Sequence, residues 1–289
     1  MAPASPRVEH GAVTRTDEAG LFGPDSVSWR VQADPAAGVG GLSALFLQAL
    51  HPLAMAGVFE HSSFDADFWP RFARTAQYVT TVNFGTIGDV HAAARRVRGM
   101  HDFVHGTDPV TGRSYSARSA ELIRWVHVTE VHGFLTAVQR GGLGLSGVEQ
   151  DRYYREQVRV AQLLGASEVP ASRGEVADYL QRIRSQLVCS PSTRNGARLL
   201  LAPPMPWRVR LLTPARPAWA ALGALSFCLM PRWARRLYRL PGLPTTDMGA
   251  TLALRALRSA AIRVPERHRV GPLVLAARQR VAHQVLPTA

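Results

Sequence analysis

Residues 87–104, IGDVHAAARRVRGMHDFV, place apolar side chains at the spacing of an amphipathic helix. The apolar row of this helix consists of Ile87, Val90, Ala94, Val97 and Val104. His101 falls within the same row, so its imidazole is expected to point toward the protein interior. An inward-facing histidine is either a hydrogen-bonded core residue or a ligand, and the helix pattern alone leaves both interpretations open.

The same helical periodicity continues along most of the chain, and no alternating strand pattern longer than a few residues interrupts it. The sequence therefore predicts an all-α fold, a single-domain bundle of about eight to ten helices. Residues 1–38 are rich in Pro, Gly and acidic residues and are predicted to form an irregular N-terminal segment. Residues 39–289 are predicted to form the helical domain.

Capping residues and prolines set several helix boundaries. Pro52 is expected to kink or end the apolar helix that begins near Leu42. Asp65 or Asp67 is a candidate N-cap for the next helix. Two capping-box signatures then follow, Ser146 with Glu149 and Ser172 with Glu175.

Composition limits the classes of function. The 289 residues carry a net charge of +13, and all 34 basic residues are Arg. No nucleic-acid-binding motif accompanies this charge, so no nucleic-acid partner is expected. The two cysteines, Cys189 and Cys228, form neither a disulfide framework nor a zinc motif. The N-terminus has no apolar signal-like run, which predicts a cytoplasmic protein.

An Arg-rich region extends over residues 179–246, which contain eleven Arg and no Asp or Glu. Trp207, Trp219 and Trp233 lie in the same region. The region is either a solvated basic face or a surface that contacts an anionic membrane through Arg and interfacial Trp.

The candidate site residues lie in three consecutive predicted helices. His101 and His105 have the i,i+4 spacing of a metal-chelating pair, although two ligands alone are a weak signal. Arg71 and Arg74 share one helix face, which is either solvated or a cationic cluster able to hold a carboxylate. His127 lies at the margin of an apolar face.

An ordered series of short phrases resembles one known family. The phrases are His51-Pro52, Ala56-Gly57-Val58, His61-Ser62, Arg74-Thr75, Arg95 to His101 with Val104 and Gly106, Tyr115-Ser116-Ala117, Trp125-Val126-His127, and the stretch from Leu145 to Tyr154. The series is similar to the family that contains latex-clearing rubber oxygenases and the catalytic domain of fungal MpaB oxygenase. It spans roughly residues 30–260.

This resemblance implies an all-helical oxygenase that holds haem b and uses O₂. Rubber oxygenases bind the haem iron through a histidine that follows an Arg-x-x-Lys-Thr motif. Arg71-x-x-Arg74-Thr75 is similar to that motif, and His101 matches the iron ligand. The resemblance thus implies catalytic roles for Arg74, Thr75 and Glu60, and cofactor contacts from His101, Arg71, Arg74 and His127.

One departure from the family pattern concerns Arg74, which stands where relatives carry a Lys that can ligate the iron. A guanidinium stays protonated and has no lone pair to donate, so Arg74 is not expected to coordinate iron. The hypothesis is a haem b-dependent oxygenase acting on an apolar, isoprenoid or lipid-like small molecule. The alternatives are a haem- or lipid-binding protein without turnover, and a non-haem metalloprotein using His101, His105 and His127.

Overall fold

The computed structural model describes residues 19–61, 68–240 and 242–285, and the structural statements below concern these residues. They form fifteen α-helices, one 3₁₀ turn (Ile183–Gln186) and one antiparallel hairpin. The helices are α1 (Val27–Gln32), α2 (Pro35–Gln48), α3 (Pro52–Glu60), α4 (Phe68–Phe84), α5 (Ile87–His101), α6 (Ala120–Arg140), α7 (Gly147–Leu164), α8 (Arg173–Arg182), α9 (Pro191–Leu201), α10 (Trp207–Leu212), α11 (Ala215–Leu229), α12 (Arg232–Leu237), α13 (Pro244–Arg263), α14 (Glu266–Arg269) and α15 (Pro272–Val285). Strands β1 (His105–Thr107) and β2 (Ser114–Ser116) form the hairpin.

The all-α prediction is confirmed, whereas the predicted number of eight to ten helices is too low. Prolines explain much of the difference. Pro206, Pro214, Pro231 and Pro265 each stand directly before a helix in the second half of the chain. A proline cannot continue a helix that precedes it, because it lacks the N–H and its ring clashes with the preceding turn.

Helical structure also begins earlier than predicted. Helix α1 and the first turn of α2 lie within residues 1–38, the segment predicted to be irregular. Ser26 caps α1 by accepting from the Trp29 amide, and Asp34 caps α2 by accepting from the Ala36 amide. Val27 and Val31 of α1 are buried in the main core, which offsets the cost of ordering so short a helix. Residues 1–18 lie outside the described residues.

The helix boundaries near the site follow from capping. Ser146 and Glu149 form the predicted capping box at α7. Ser172 caps α8 as predicted, but the Glu175 carboxylate accepts from the Ala171 amide instead of completing the box. A further capping box, Thr86 with Asp89, starts α5. The predicted N-caps Asp65 and Asp67 lie outside the described residues.

Helices α2 and α6 form the centre of the fold and cross at two glycines. A Cβ atom on Gly40 would lie 2.4 Å from the Gly133 carbonyl oxygen, and one on Gly133 would lie 2.6 Å from the Gly40 carbonyl oxygen. The two backbones are therefore in direct contact, which only glycine permits. Phe46 of α2 and Trp125 of α6 are both fully buried in the surrounding core.

The chain bends sharply between α2 and α3. Helix α2 ends at Gln48 and α3 begins at Pro52, as predicted, with an angle of 99° between them. Among the described residues no single helix has the length and apolar composition to cross a membrane, although this bent pair meets both criteria when taken together.

Candidate functional site

A cavity of about 440 Å³ is lined by residues of α2, α3, α4, α6 and α9, with Gln32 at the end of α1. This volume lies within the range of small-molecule sites in proteins. Its wall is mainly apolar, with Leu42, Leu45, Met55, Phe72 and Phe134 among the contributors. The polar side chains on the wall are Gln32, Asp34, Gln48, Arg71, Thr75, Thr80 and Glu130.

Helix α4 brings two of the predicted site residues to this cavity. Arg71 and Thr75, one turn apart, both line the wall, and Arg71 Nη1 donates to the Val58 carbonyl oxygen at 3.3 Å. Thr75 is exposed where it lines the wall, so the cavity is open to solvent along α4. Arg74 is also exposed but does not line the cavity. Of the residues in the Arg71-x-x-Arg74-Thr75 motif, Arg71 and Thr75 therefore lie on the cavity wall and Arg74 lies on the protein surface.

His101 is the last residue of α5 and is half-buried. Its Nδ1 atom is buried and has no hydrogen-bond partner within the described residues. Burial lowers the pKa of His101, and the nearby Asp102 opposes this shift. The ring is therefore held in the neutral form, which is the form that ligates metals.

The His101 side chain is not part of the cavity wall. Val104, one turn further along the chain, packs against Leu53, Ala56 and Leu122. These three residues belong to α3 and α6, which both line the cavity. His101 itself ends α5, which packs against α4 and α7, and it lies outside the cavity wall.

The other predicted histidines do not join His101. His127 is buried in α6, where burial lowers its pKa to about 4, but it does not line the cavity. His105 is exposed on β1. No group of three or more His, Cys, Asp or Glu side chains able to hold a metal ion is found in residues 19–61, 68–240 and 242–285. His101, His105 and His127 do not form a three-ligand site in this arrangement.

Glu60 lies at the exposed end of α3 and does not line the cavity. Its Oε2 accepts a hydrogen bond from the Tyr115 hydroxyl at 2.9 Å. His61 Nε2 lies 3.1 Å from the same hydroxyl. The carboxylate is thus engaged outside the cavity, and a role as catalytic base stays a prediction.

The carboxyl group of Glu130 does line the cavity, and the sequence reasoning missed it. Val126, Glu130 and Phe134 are spaced one turn apart on α6 and share the cavity face. That spacing was the signal available in the sequence: an acidic residue within an apolar row. Glu130 makes no hydrogen bond or ion pair with any described residue. Burial raises its pKa from 4.5 to about 7.

The phenols of Tyr78 and Tyr153 lie close enough to Glu130 for its charge to affect their pKa values. The pKa values of Tyr78 and Tyr153 are raised chiefly by burial and further by the Glu130 carboxylate. The Tyr78 hydroxyl is buried without a partner among the described residues, whereas the Tyr153 hydroxyl accepts from Gln32 Nε2 at 3.2 Å. The wall around Glu130 therefore combines a half-buried acid with an amide and nearby phenols.

Comparison with known protein families gives a match over most of the chain. Residues 29–263 match the family described as ER-bound oxygenase mpaB/B'/Rubber oxygenase, catalytic domain. The chain belongs to this family. The resemblance inferred from the short phrases is thereby confirmed, and the cavity lies within the matched part of this oxygenase domain. Neither a curated protein nor a solved structure gave a significant match.

Proposed function

We propose that this member of the oxygenase family is a haem b-dependent enzyme that oxidises an apolar, isoprenoid or lipid-like small molecule with O₂. The observation that supports this most directly is the apolar cavity, into which Arg71, Thr75 and Glu130 bring a few polar groups. An apolar wall with a small number of placed polar groups is typical of sites for lipophilic ligands.

The residues fit a haem in their donor chemistry. A neutral imidazole can hold a haem iron, and His101 offers a buried Nδ1 with no hydrogen-bond partner among the described residues, on a ring whose pKa is lowered by burial. In this proposal His101 would hold the iron. Arg74, exposed on the same helix as the wall residue Arg71, holds a propionate carboxylate. When bound, the haem supplies the activation of O₂.

The remaining side chains act on the substrate and on protons. Arg71 keeps a fixed positive charge at the wall, and the Thr75 hydroxyl donates or accepts a hydrogen bond beside it. Glu130 holds or releases a proton at its carboxyl oxygens, because its pKa of about 7 lies near neutral pH. The apolar side chains of α2 and α3 exclude water from the bound molecule.

The haem part of the proposal is tested by titrating the purified protein with hemin and recording its absorption spectrum. We expect a Soret band that saturates at one hemin per chain and is lost in His101→Ala. His105→Ala is the matched control, because His105 is an exposed histidine close to His101 in sequence. Circular dichroism verifies that both variants fold. A band that survives in His101→Ala, or no saturable band in the wild type, contradicts the assignment.

Turnover is tested separately by measuring O₂ consumption with apolar isoprenoid compounds. We expect consumption that depends on the compound and is reduced in Arg71→Gln. Arg155→Gln removes the same charge from an exposed position on α7 and serves as the control. Hemin binding without any O₂ consumption would favour the alternative of a binding protein without turnover.

A further inference from the structure

Helix α10, with the sequence WRVRLL, carries large apolar side chains on the outside of the protein. Trp207, Leu211 and Leu212 are 61%, 69% and 76% exposed, and α10 has no buried residue. A surface helix normally turns its apolar side chains toward the core. A cluster of large exposed apolar residues instead indicates an interaction surface. We call Trp207–Leu212 together with Arg216 the α10 surface.

The charge on the α10 surface is entirely positive. Arg208, Arg210 and Arg216 are exposed. The ion pairs found among the described residues do not involve them. The Arg208 guanidinium lies 5.4 Å from the centre of the Trp207 ring. Exposed Trp and Leu beside uncompensated Arg match the chemistry of a bilayer, in which anionic headgroups lie above an apolar interior.

An apolar groove of about 460 Å³ lies beside α10. Val209 of α10, Ala218 and Leu222 of α11, and Trp69 of α4 are part of its wall, which has no polar residue. The Trp69 indole donates to the Pro204 carbonyl oxygen at 2.5 Å, which ties the start of α4 to the loop before α10. The groove therefore connects the exposed helix with the helix that carries the site residues.

Aromatic rings join this groove to the cavity. Trp69 and Trp219 line the groove with their ring centres 4.9 Å apart. Phe72 lines the cavity, and its ring centre is 6.3 Å from that of Trp69 and 5.7 Å from that of Trp219. Three aromatic side chains in mutual contact thus contribute to the walls of the two spaces.

We propose that the α10 surface docks on an anionic lipid bilayer, and that the groove beside α10 admits apolar compounds from the bilayer to the cavity. The docking stands on the exposed side chains and charge of the α10 surface alone. The passage of compounds rests on the proposed function, since it assumes an apolar substrate in the cavity. A membrane source suits such a substrate, because an apolar compound partitions into lipid rather than into water.

Docking is tested by flotation of the full chain with two kinds of vesicle. One is phosphatidylcholine alone, and the other contains about one third phosphatidylglycerol. We expect binding to the anionic vesicles only, weakened by salt. Arg208→Gln/Arg210→Gln should lower the partition coefficient on the order of thirty-fold, as expected for two basic residues near an anionic surface. Trp207→Ser/Leu211→Ser/Leu212→Ser should abolish binding.

Two matched controls separate the α10 surface from the general charge and apolarity of the protein. Arg155→Gln/Arg159→Gln removes the same charge from exposed positions on α7, and Met248→Ser/Leu252→Ser removes exposed apolar groups from α13. Both should bind like the wild type. The docking proposal is overturned if the wild type fails to float, or if a control loses as much binding as its counterpart. It is also overturned if the α10 surface proves to be a self-association interface, seen as lipid-free oligomers that the triple variant dissolves.

Passage through the groove is tested with pyrene supplied either in anionic vesicles or dissolved in buffer. Ala218→Trp fills the groove without changing the α10 surface. We expect this variant to float like the wild type and to bind dissolved pyrene, but to lose uptake from vesicles. Unchanged uptake would overturn the passage and leave docking intact. Failure of the wild type to bind pyrene from buffer would count against the apolar site of the proposed function, and again leave docking intact.

Discussion

The raised pKa of Glu130 predicts that Glu130→Gln stabilises the folded protein at high pH. The folded-state pKa of about 7 lies above the ordinary value of 4.5, so ionisation opposes folding. The contribution of Glu130 to stability is fully present below pH 4.5 and is lost as pH rises through about 7. The difference between the two pKa values corresponds to about 3.5 kcal/mol at most, taking ~1.4 kcal/mol per pH unit. Gln has a similar shape and no charge, so the variant escapes this loss.

The assay is thermal unfolding of wild type and variant at several pH values between 5 and 8. We expect similar midpoints at the acidic end and a variant whose midpoint is up to about 7 °C higher at the alkaline end. The difference between the two proteins isolates Glu130 from other groups. His51, His127 and His132 act in the opposite direction, because burial lowers their pKa values to about 4 and they destabilise the fold as pH falls below 6.5.

Glu121→Gln is the control for this comparison, since Glu121 is an exposed carboxylate on the same helix. Its melting difference from the wild type should not grow with pH. A Glu130→Gln difference that is independent of pH would refute the reasoning, because it would show that Glu130 is equally ionised in the folded and unfolded chains. A variant that is less stable at alkaline pH would show that the carboxylate has a stabilising partner.

Three further predictions concern the stability of the helical framework, measured by urea unfolding. Gly133→Ala should lower the free energy of unfolding by about 2 kcal/mol, because the new Cβ would lie 2.6 Å from a carbonyl oxygen of α2. Gly99→Ala is the control on α5, where the new Cβ meets open space, and it should raise the free energy of unfolding by up to ~1 kcal/mol. Ser146→Ala should cost about 1 kcal/mol by removing the α7 cap, and rescue by Thr but not by Val would confirm the hydrogen bond. Asp247→Asn should lower the free energy of unfolding by about 3 kcal/mol, because it leaves the buried Arg235 guanidinium without its counter-charge. An unchanged free energy of unfolding would refute that pairing.

Local sequence signals were sufficient for most of the helical structure. The capping box at Ser146 and the break at Pro52 depend on groups only a few residues apart, so the sequence predicts them directly. Short helices such as α10 escaped prediction because one and a half turns carry too little periodicity. The hairpin of β1 and β2 was not predicted for the same reason, since three-residue strands show no visible alternation of apolar and polar residues.

The candidate site was predicted only in part. The motif Arg71-x-x-Arg74-Thr75 was found from its resemblance to the family, and the structure places Arg71 and Thr75 on the cavity wall. Spacing could not show that Arg74 points elsewhere or that Glu60 is engaged with Tyr115, since both depend on neighbours distant in sequence. Glu130 was missed because an acidic residue in an apolar row is normally taken to mark the edge of the buried helix face. Only the position of the facing helix shows that this residue lines a cavity.

The amino-acid sequence by itself determined the all-helical class, the principal helix boundaries and the family, because each depends on local patterns or on motifs in fixed order. Only the tertiary structure decided which side chains meet. Helices α2 and α6 approach closely enough to touch at Gly40 and Gly133, and α4 contributes to the same cavity wall, so that Arg71 and Glu130 line one cavity. The rotation and separation of packed helices follow from contacts along their whole length, and no short stretch of sequence contains that information.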